Sequence, residues 1–579
     1  MILCMQQPLI NGGTMDEDSN FKWEKEIIPP LQRKNIDKKI LLKKQESDYS
    51  DPKANKILKK LRYKSLSSLK AHSNNEAEDD KNGLRAFCLS QIKMKNLKSF
   101  TLNLRDSDNQ MLASISRSMK SLNRSEKFHF IASACQSVTD NGLKNFTQGL
   151  KKLNQLSDLS VEIYSGAKMS TKEIQASYSA LKRFRALRSL RLYIQDFERI
   201  SDKSVLSLTE SIKKLSFLSK LDLSFYGYSE ITNKSLEYIP RSFRNLQTVK
   251  RLHLDFCSCD QINDKGVEDL FLGLRESHLE TLQLSFSYCA NITDRGIKNF
   301  SNFFQNYSGL SHLSLDFKGY YGITGEGASS LFLCLGYLRS LLSLHLYFSS
   351  WQILTDDSLK NLSISLQNNK SLNDLLIHFG DYLAIKEITN RGLGYFITSL
   401  KQLPVLKVLS LNFNYLVEVT QEGFESLFSA FESLKTLSSL DLSLTKCLSI
   451  ADKQIEALSE GIKNIESLSF LKLNFKDCIR ISNKGFLKLC SNLLNLISLT
   501  NLSFEFGDCK KLSDKAILGM FLLLKELRSL SRVDLHFDNC PSINSSKLKK
   551  SALELANCDV FLNDHKITSE EIISEMKNE

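Results

Sequence analysis

The chain is poor in proline, with 7 residues in 579, and has only 2 tryptophans. That scarcity excludes a collagen-like or proline-rich chain, and 42% hydrophobic residues exclude one that is mostly disordered. Long apolar runs are missing as well. The richest, Met520 to Leu524, is followed at once by Lys525 and Glu526, far short of the ~20 residues a membrane-spanning helix needs. The opening MILCMQQPLI has no basic stretch ahead of its apolar residues, unlike a secretory leader. A soluble protein of the cytoplasm, or of the nucleus, is expected. There is no phosphate-binding loop and no G-x-S-x-G or H-E-x-x-H motif, so enzymatic activity is not expected.

What the sequence does contain is a repeat, which has to be found before domains are counted. LETLQLSF at Leu279 recurs as LSKLDLSF at Leu218, VKRLHLDF at Val249, LSHLSLDF at Leu310 and LSFLKLNF at Leu468. Fifteen copies start at 97, 125, 156, 187, 218, 249, 279, 310, 341, 372, 406, 437, 468, 499 and 530, and eleven of the fourteen intervals are 31. Each copy passes from apolar residues two apart (Leu282, Leu284, Phe286) to apolar residues three and four apart (Ile297, Phe300, Phe304), which is a strand followed by a helix. Between them lies ITDRG at Ile292, INDKG at Ile262 or ISNKG at Ile481. Thr293, Asn263 and Ser482 suit the N-cap, and Asp294 and Asp264 suit the positive end of the helix. A lone strand–helix unit cannot cover its apolar face, so the units stack into an α/β solenoid with a parallel inner sheet and outer helices. Fifteen strands at ~4.8 Å give a concave sheet of roughly 70 Å.

This pattern resembles the leucine-rich repeats, in particular their ribonuclease-inhibitor-like and cysteine-containing branches, over residues 97–562. The resemblance implies a horseshoe-shaped solenoid in which a Cys after each strand turns inward and satisfies loop backbone groups. Cys135, Cys259, Cys289, Cys447, Cys478, Cys509 and Cys540 all stand ten residues after their copy's start. Here the strand is two residues longer than in the usual cysteine-containing pattern. The same slot holds Phe197, Tyr228, Tyr320, Trp351, Tyr382 and Leu416 in other copies: larger fillers of a wider turn, or an aromatic rim that anchors a partner. Cys334 and Cys490 fall in helices and are expected in the core. The C-x-C of Cys257 and Cys259 has no second pair at zinc-ligand spacing, so neither metal nor cofactor is expected.

Positions three, five and seven of each copy face outward and make the concave surface. Six of the nine histidines stand there: His129, His253, His312, His345, His378 and His536. His312, His345 and His378 step diagonally over consecutive copies, at a spacing of roughly 8 Å that is too wide for a ready metal site. Arg191, Tyr193, Asp222, Arg251, His253, Asp255, His312, His345, Tyr347 and His378 are the candidate partner-binding residues. Their mixed charge suits a protein partner rather than a phosphate backbone, which selects a single basic field. Nucleic acid, membrane and small-molecule substrates are therefore not expected there. Gly322, Gly325 and Gly327 sit at a helix junction and are read as turn chemistry.

The expected organisation is a basic lead-in at 1–96, with 19 Lys/Arg against 13 Asp/Glu, then the repeat domain, then a cap at 563–579. A short helix near Ile57 to Leu66 is expected in the lead-in, and another over 566–579. The functional expectation is a non-catalytic scaffold that docks a protein on its concave face. The resemblance brings two alternatives: the substrate-recognition subunit of a cullin-type ubiquitin ligase, or a small-GTPase activator.

Overall fold

The chain divides into Met1–Ile40 and Leu41–Glu579, and every described residue belongs to the second unit. The computed structural model describes the backbone of 68–73, 559–562 and 565–566 and nearly all of 97–543; the exceptions are a few single residues and the stretches 165–168, 195–199, 228–229, 243–246, 320–321, 349–353 and 381–383. The expected short helices of the lead-in and of the C-terminus lie outside the described residues.

Each of the fifteen copies places its strand two residues after its start, from Ser99–Arg105 to Arg532–His536. Neighbouring strands pair in parallel and in step, so that Leu221, Leu252 and Leu282 stand side by side. Fourteen helices alternate with these strands among the described residues. The expected solenoid is therefore present as one open sheet, and no helix in it is long and apolar enough to cross a membrane. The sheet also begins one strand before the first copy counted in the sequence. Ser68–Ser73 pairs in parallel with the first copy, Ser68 opposite Ser99, an offset of 31 residues. At the other end Asp559–Leu562 pairs in parallel with Arg532–His536, and His565–Lys566 folds back antiparallel on it.

Leucines at the fourth and sixth positions of the copies are buried throughout, and the helix stripe Ile297, Phe300, Phe303 and Phe304 closes over them. The eighth position stacks from copy to copy as a phenylalanine spine. Phe225, Phe256, Phe286 and Phe317 lie 5.4, 5.6 and 5.9 Å apart between ring centroids.

The turn that follows is fixed by two devices. The residue before the inward slot takes a left-handed conformation, φ 58° at Ser258, 61° at Asp477 and 74° at Gly319. At Gly319 a Cβ would also stand 2.3 Å from the Tyr288 ring. The slot thiol then reaches back to the preceding copy: Cys259 Sγ donates to Phe225 O at 3.0 Å, Cys289 to Phe256 O at 3.0 Å and Cys540 to Phe506 O at 3.2 Å. All ten described cysteines are buried. Leu416 fills its slot in the core, and Cys334 and Cys490 are buried in helices as expected. Phe197, Tyr228, Tyr320, Trp351 and Tyr382 lie outside the described residues.

The helix junction holds more than caps. Thr293, Ser482 and Asn263 cap their helices as expected. The acid that follows, expected only to meet the helix dipole, grips the next copy. Asp264 accepts the Thr293 backbone N–H and hydroxyl, each at 2.7 Å. Asp294, Asp356 and Asp452 do the same for Thr324, Thr389 and Ser482. Asparagine serves equally: Asn390 Oδ1 accepts from the Thr420 backbone at 2.9 Å while its amide donates to the Thr420 hydroxyl at 2.8 Å. The glycine of the same motif makes room for this group, since a Cβ at Gly296, Gly327 or Gly392 would meet the preceding copy's carboxylate oxygen at 2.5, 2.0 or 2.3 Å.

Candidate functional site

The outward strand positions form rows because the register is constant. One row runs Arg191, Asp222, His253, Gln283, Ser314, His345, and the next runs Tyr193, Ser224, Asp255, Ser285, Asp316, Tyr347, His378. Sheets bend toward the strands when helices ~10 Å across stack behind strands ~4.8 Å apart. That crowding lets side chains on neighbouring strands bond to one another.

Four candidates meet over copies 4–6. Arg191 Nε donates to Asp222 Oδ2 at 2.8 Å, His253 Nδ1 stands 2.6 Å from Asp222 Oδ1, and the Tyr193 hydroxyl lies 2.8 Å from the same ring nitrogen. The Arg191 guanidinium also lies over the Tyr193 ring at 5.7 Å. Glu162 joins them, 3.5 Å from Arg191, and accepts from the Ser160 and Tyr164 hydroxyls. Burial alone would raise the Asp222 carboxyl, but His253 and Arg191 outweigh it and hold it at about 2. Burial, reinforced by Asp222, pushes the Tyr193 phenol well above its usual range. The cluster is thus anchored by a buried carboxylate and presents Arg191 and His253 at its surface.

Asp255 is separate. It accepts from the Ser224 hydroxyl at 2.8 Å and from the Cys257 backbone at 3.0 Å. Arg251 is exposed at the start of its strand.

The second group centres on copies 8–10. His345 Nε2 lies 2.9 Å from Asp374 Oδ2, and the Ser343 hydroxyl donates to the same oxygen at 3.0 Å. Serine, histidine and aspartate are the residue types of a hydrolytic triad, but a triad places Ser and Asp on opposite ring nitrogens. Here both meet Nε2, and the hydroxyl proton is directed to the carboxylate. His312 contacts the Ser311 hydroxyl at 2.8 Å, and His378 meets the edge of Tyr347 at 5.4 Å between centroids. Lys318 Nζ stands over the Tyr347 ring, 5.4 Å from its centroid. Burial, with Lys318 and Lys472 adding to it, lowers the His378 imidazole to about 4; burial and Arg251 lower His312.

Part of the expected platform is covered. His345, Tyr347 and Asp222 are only 7%, 6% and 4% exposed, and the Ser343–Tyr347 strand is buried at all five positions. Alternation specifies which face a side chain takes, not whether its neighbours cover it. The diagonal histidines do not converge, and no cluster of three metal-ligating residues occurs among the described residues.

Compared with known proteins, the chain matches no family model and no curated protein. The rows and the turns therefore carry the interpretation alone. Glu162, Lys318 and Asp374 belong with the candidates but were not among them. Asp374 was within reach, because it occupies the third position of its copy, opposite Ser343. Lys318 lies past the strand end and had no such signal.

Proposed function

We propose that this chain is a non-catalytic scaffold of the leucine-rich-repeat type that docks a protein partner on the strand face of its repeats. The observation that carries this reading is the Arg191–Asp222–His253–Tyr193 cluster. A buried carboxylate pre-sets an arginine and a histidine at the surface without any activated nucleophile, and ordered arginine and aromatic groups of mixed charge are what protein interfaces favour. The ten buried thiols fit a reducing compartment, cytoplasmic or nuclear. The test is capture of partners from the native cell by the full chain and by Arg191→Glu/Arg251→Glu. Partners that bind the parent and are lost from the folded variant support the reading. Capture unchanged by these substitutions overturns it, and recovery of the adaptor subunit of a cullin-type ligase would favour the ligase form.

A further inference from the structure

In a parallel solenoid every helix-to-strand connection lies on one edge. In copies 1–4 these connections, 119–125, 151–157, 181–188 and 213–219, contain no Asp or Glu. Counted back from the next copy's start, the fifth residue is Lys120, Lys151, Lys182 and Lys213, four lysines spaced by 31; the adjoining position holds Lys152, Arg183 and Lys214. Arg124, Arg185 and Arg188 widen the band. All are exposed except Lys151 and Lys213, which are half-buried. Among the described residues only Lys213 of this set meets a carboxylate, Glu210.

Cations near helix C-termini stabilise the helix dipole, but that role does not account for the band. The same slot holds Gln305, Gly336, Gln367 and Glu432 in later copies, whose helices form equally well, and lysine returns there only singly, at Lys401, Lys463 and Lys525. The opposite edge of copies 1–4 has Asp108, Asp140 and Asp202 at its helix starts. An unbroken run of lysines at this slot, with a second basic residue beside three of them, is therefore confined to one edge of the first four copies.

We propose that this edge binds the phosphate backbone of a nucleic-acid duplex. The field is of a single sign, as a phosphate backbone selects. Its lysines align in register from copy to copy, a linear track rather than a scattered surface. Four helices ~10 Å wide span about 30 Å, close to the ~34 Å of one duplex turn. The band offers no platform for unstacked bases: its one exposed aromatic, Phe217, faces Arg188 at 5.9 Å. Contact is thus to backbone, without sequence preference. This surface is distinct from the strand face and independent of the reading given above.

The test is fluorescence anisotropy with the full chain and a labelled 20-base-pair DNA duplex. Affinity is expected to fall by at least about a hundredfold between 50 and 200 mM salt. The variant Lys151→Gln, Lys152→Gln, Lys182→Gln, Arg183→Gln is expected to fold, because glutamine is native at this slot in two other copies, and circular dichroism checks it. It should bind about tenfold or more weakly and lower the salt slope by roughly three to four. Lys435→Gln, Lys453→Gln, Lys484→Gln, Lys488→Gln should leave binding unchanged. Undiminished binding by the edge variant would place the contact on the basic lead-in, which that variant retains, and overturn the proposal. Tighter binding of single-stranded DNA, polyglutamate or phosphatidylserine vesicles than of duplex would overturn it too.

Discussion

Gly392 and Gly394 stand two residues apart in the helix Asn390–Leu400 and answer opposite demands. A Cβ at Gly392 would lie 2.3 Å from Asp356 Oδ1, whereas one at Gly394 would meet nothing within 4 Å. Helix propensity alone favours alanine at both by ~1 kcal/mol. Gly394→Ala is expected to stabilise the protein by roughly 0.5–1 kcal/mol, and Gly392→Ala to destabilise it by about 1–3 kcal/mol, read by chemical denaturation. Equal effects would refute the fit of the carboxylate against the glycine. His378 supplies a second prediction at this scale. Its folded imidazole titrates at about 4, below the ~6.5 of an unfolded chain. Its contribution is present above pH 6.5 and lost as the pH falls toward 4, because the unfolded chain takes the proton first. His378→Asn, which places there the residue that its neighbour Asn412 already supplies, should flatten the fall in melting temperature between pH 6.5 and 5. A parallel fall in both proteins would count against it.

The strand–turn–helix element is held by bonds that cross to the next copy, and these set its tolerance to substitution. Asp356→Asn should cost under ~1 kcal/mol, since Asn390 and Asn483 make the same bonds in other copies. Asp356→Ala removes acceptors from the Thr389 backbone, its hydroxyl and the Gly392 backbone at 2.8, 2.7 and 2.9 Å, and is expected to cost about 2–3 kcal/mol. Because each copy touches only its neighbours, hydrogen exchange should quicken around 356–392 and stay unchanged beyond 470. Much of this element was legible in the sequence. The two periods locate strand and helix, and Thr293 and Ser482 are recognisable caps. The acid's true partner was not, since a first-turn aspartate satisfies the dipole argument whether or not it reaches across. Only the 30-residue register, with the glycine two positions after it, distinguishes the two roles. The strand-face candidates divide likewise. Periodicity places His345 and Tyr347 on the outward side, and only three-dimensional crowding reveals that Asp374, Ser343 and Lys318 cover them.

At the scale of the molecule, the beat of 31 residues forecast a single stack, and its errors lie at the ends, where apolar periodicity fades. LSSLKAHS at Leu66 has Ala and Ser where other copies have Leu and Phe, so the strand at Ser68 reads as lead-in, although its backbone pairs in full. LANCDVFL at Leu555 is recognisable as a last strand, but the antiparallel return at His565–Lys566 leaves no trace in composition. That return matters because an open edge of a sheet is a template for another chain. Truncation after residue 545 removes Asp559–Leu562 and leaves the Arg532–His536 strand unpaired on one side. It is expected to produce aggregation at micromolar concentration in size-exclusion chromatography. A monomeric fragment that still unfolds in one cooperative transition would show that the stack needs no such closing strand. Truncation at 67, upstream of Ser68, should by contrast leave a monomer, because the first pairing, Ser68 to Ser99, is then retained.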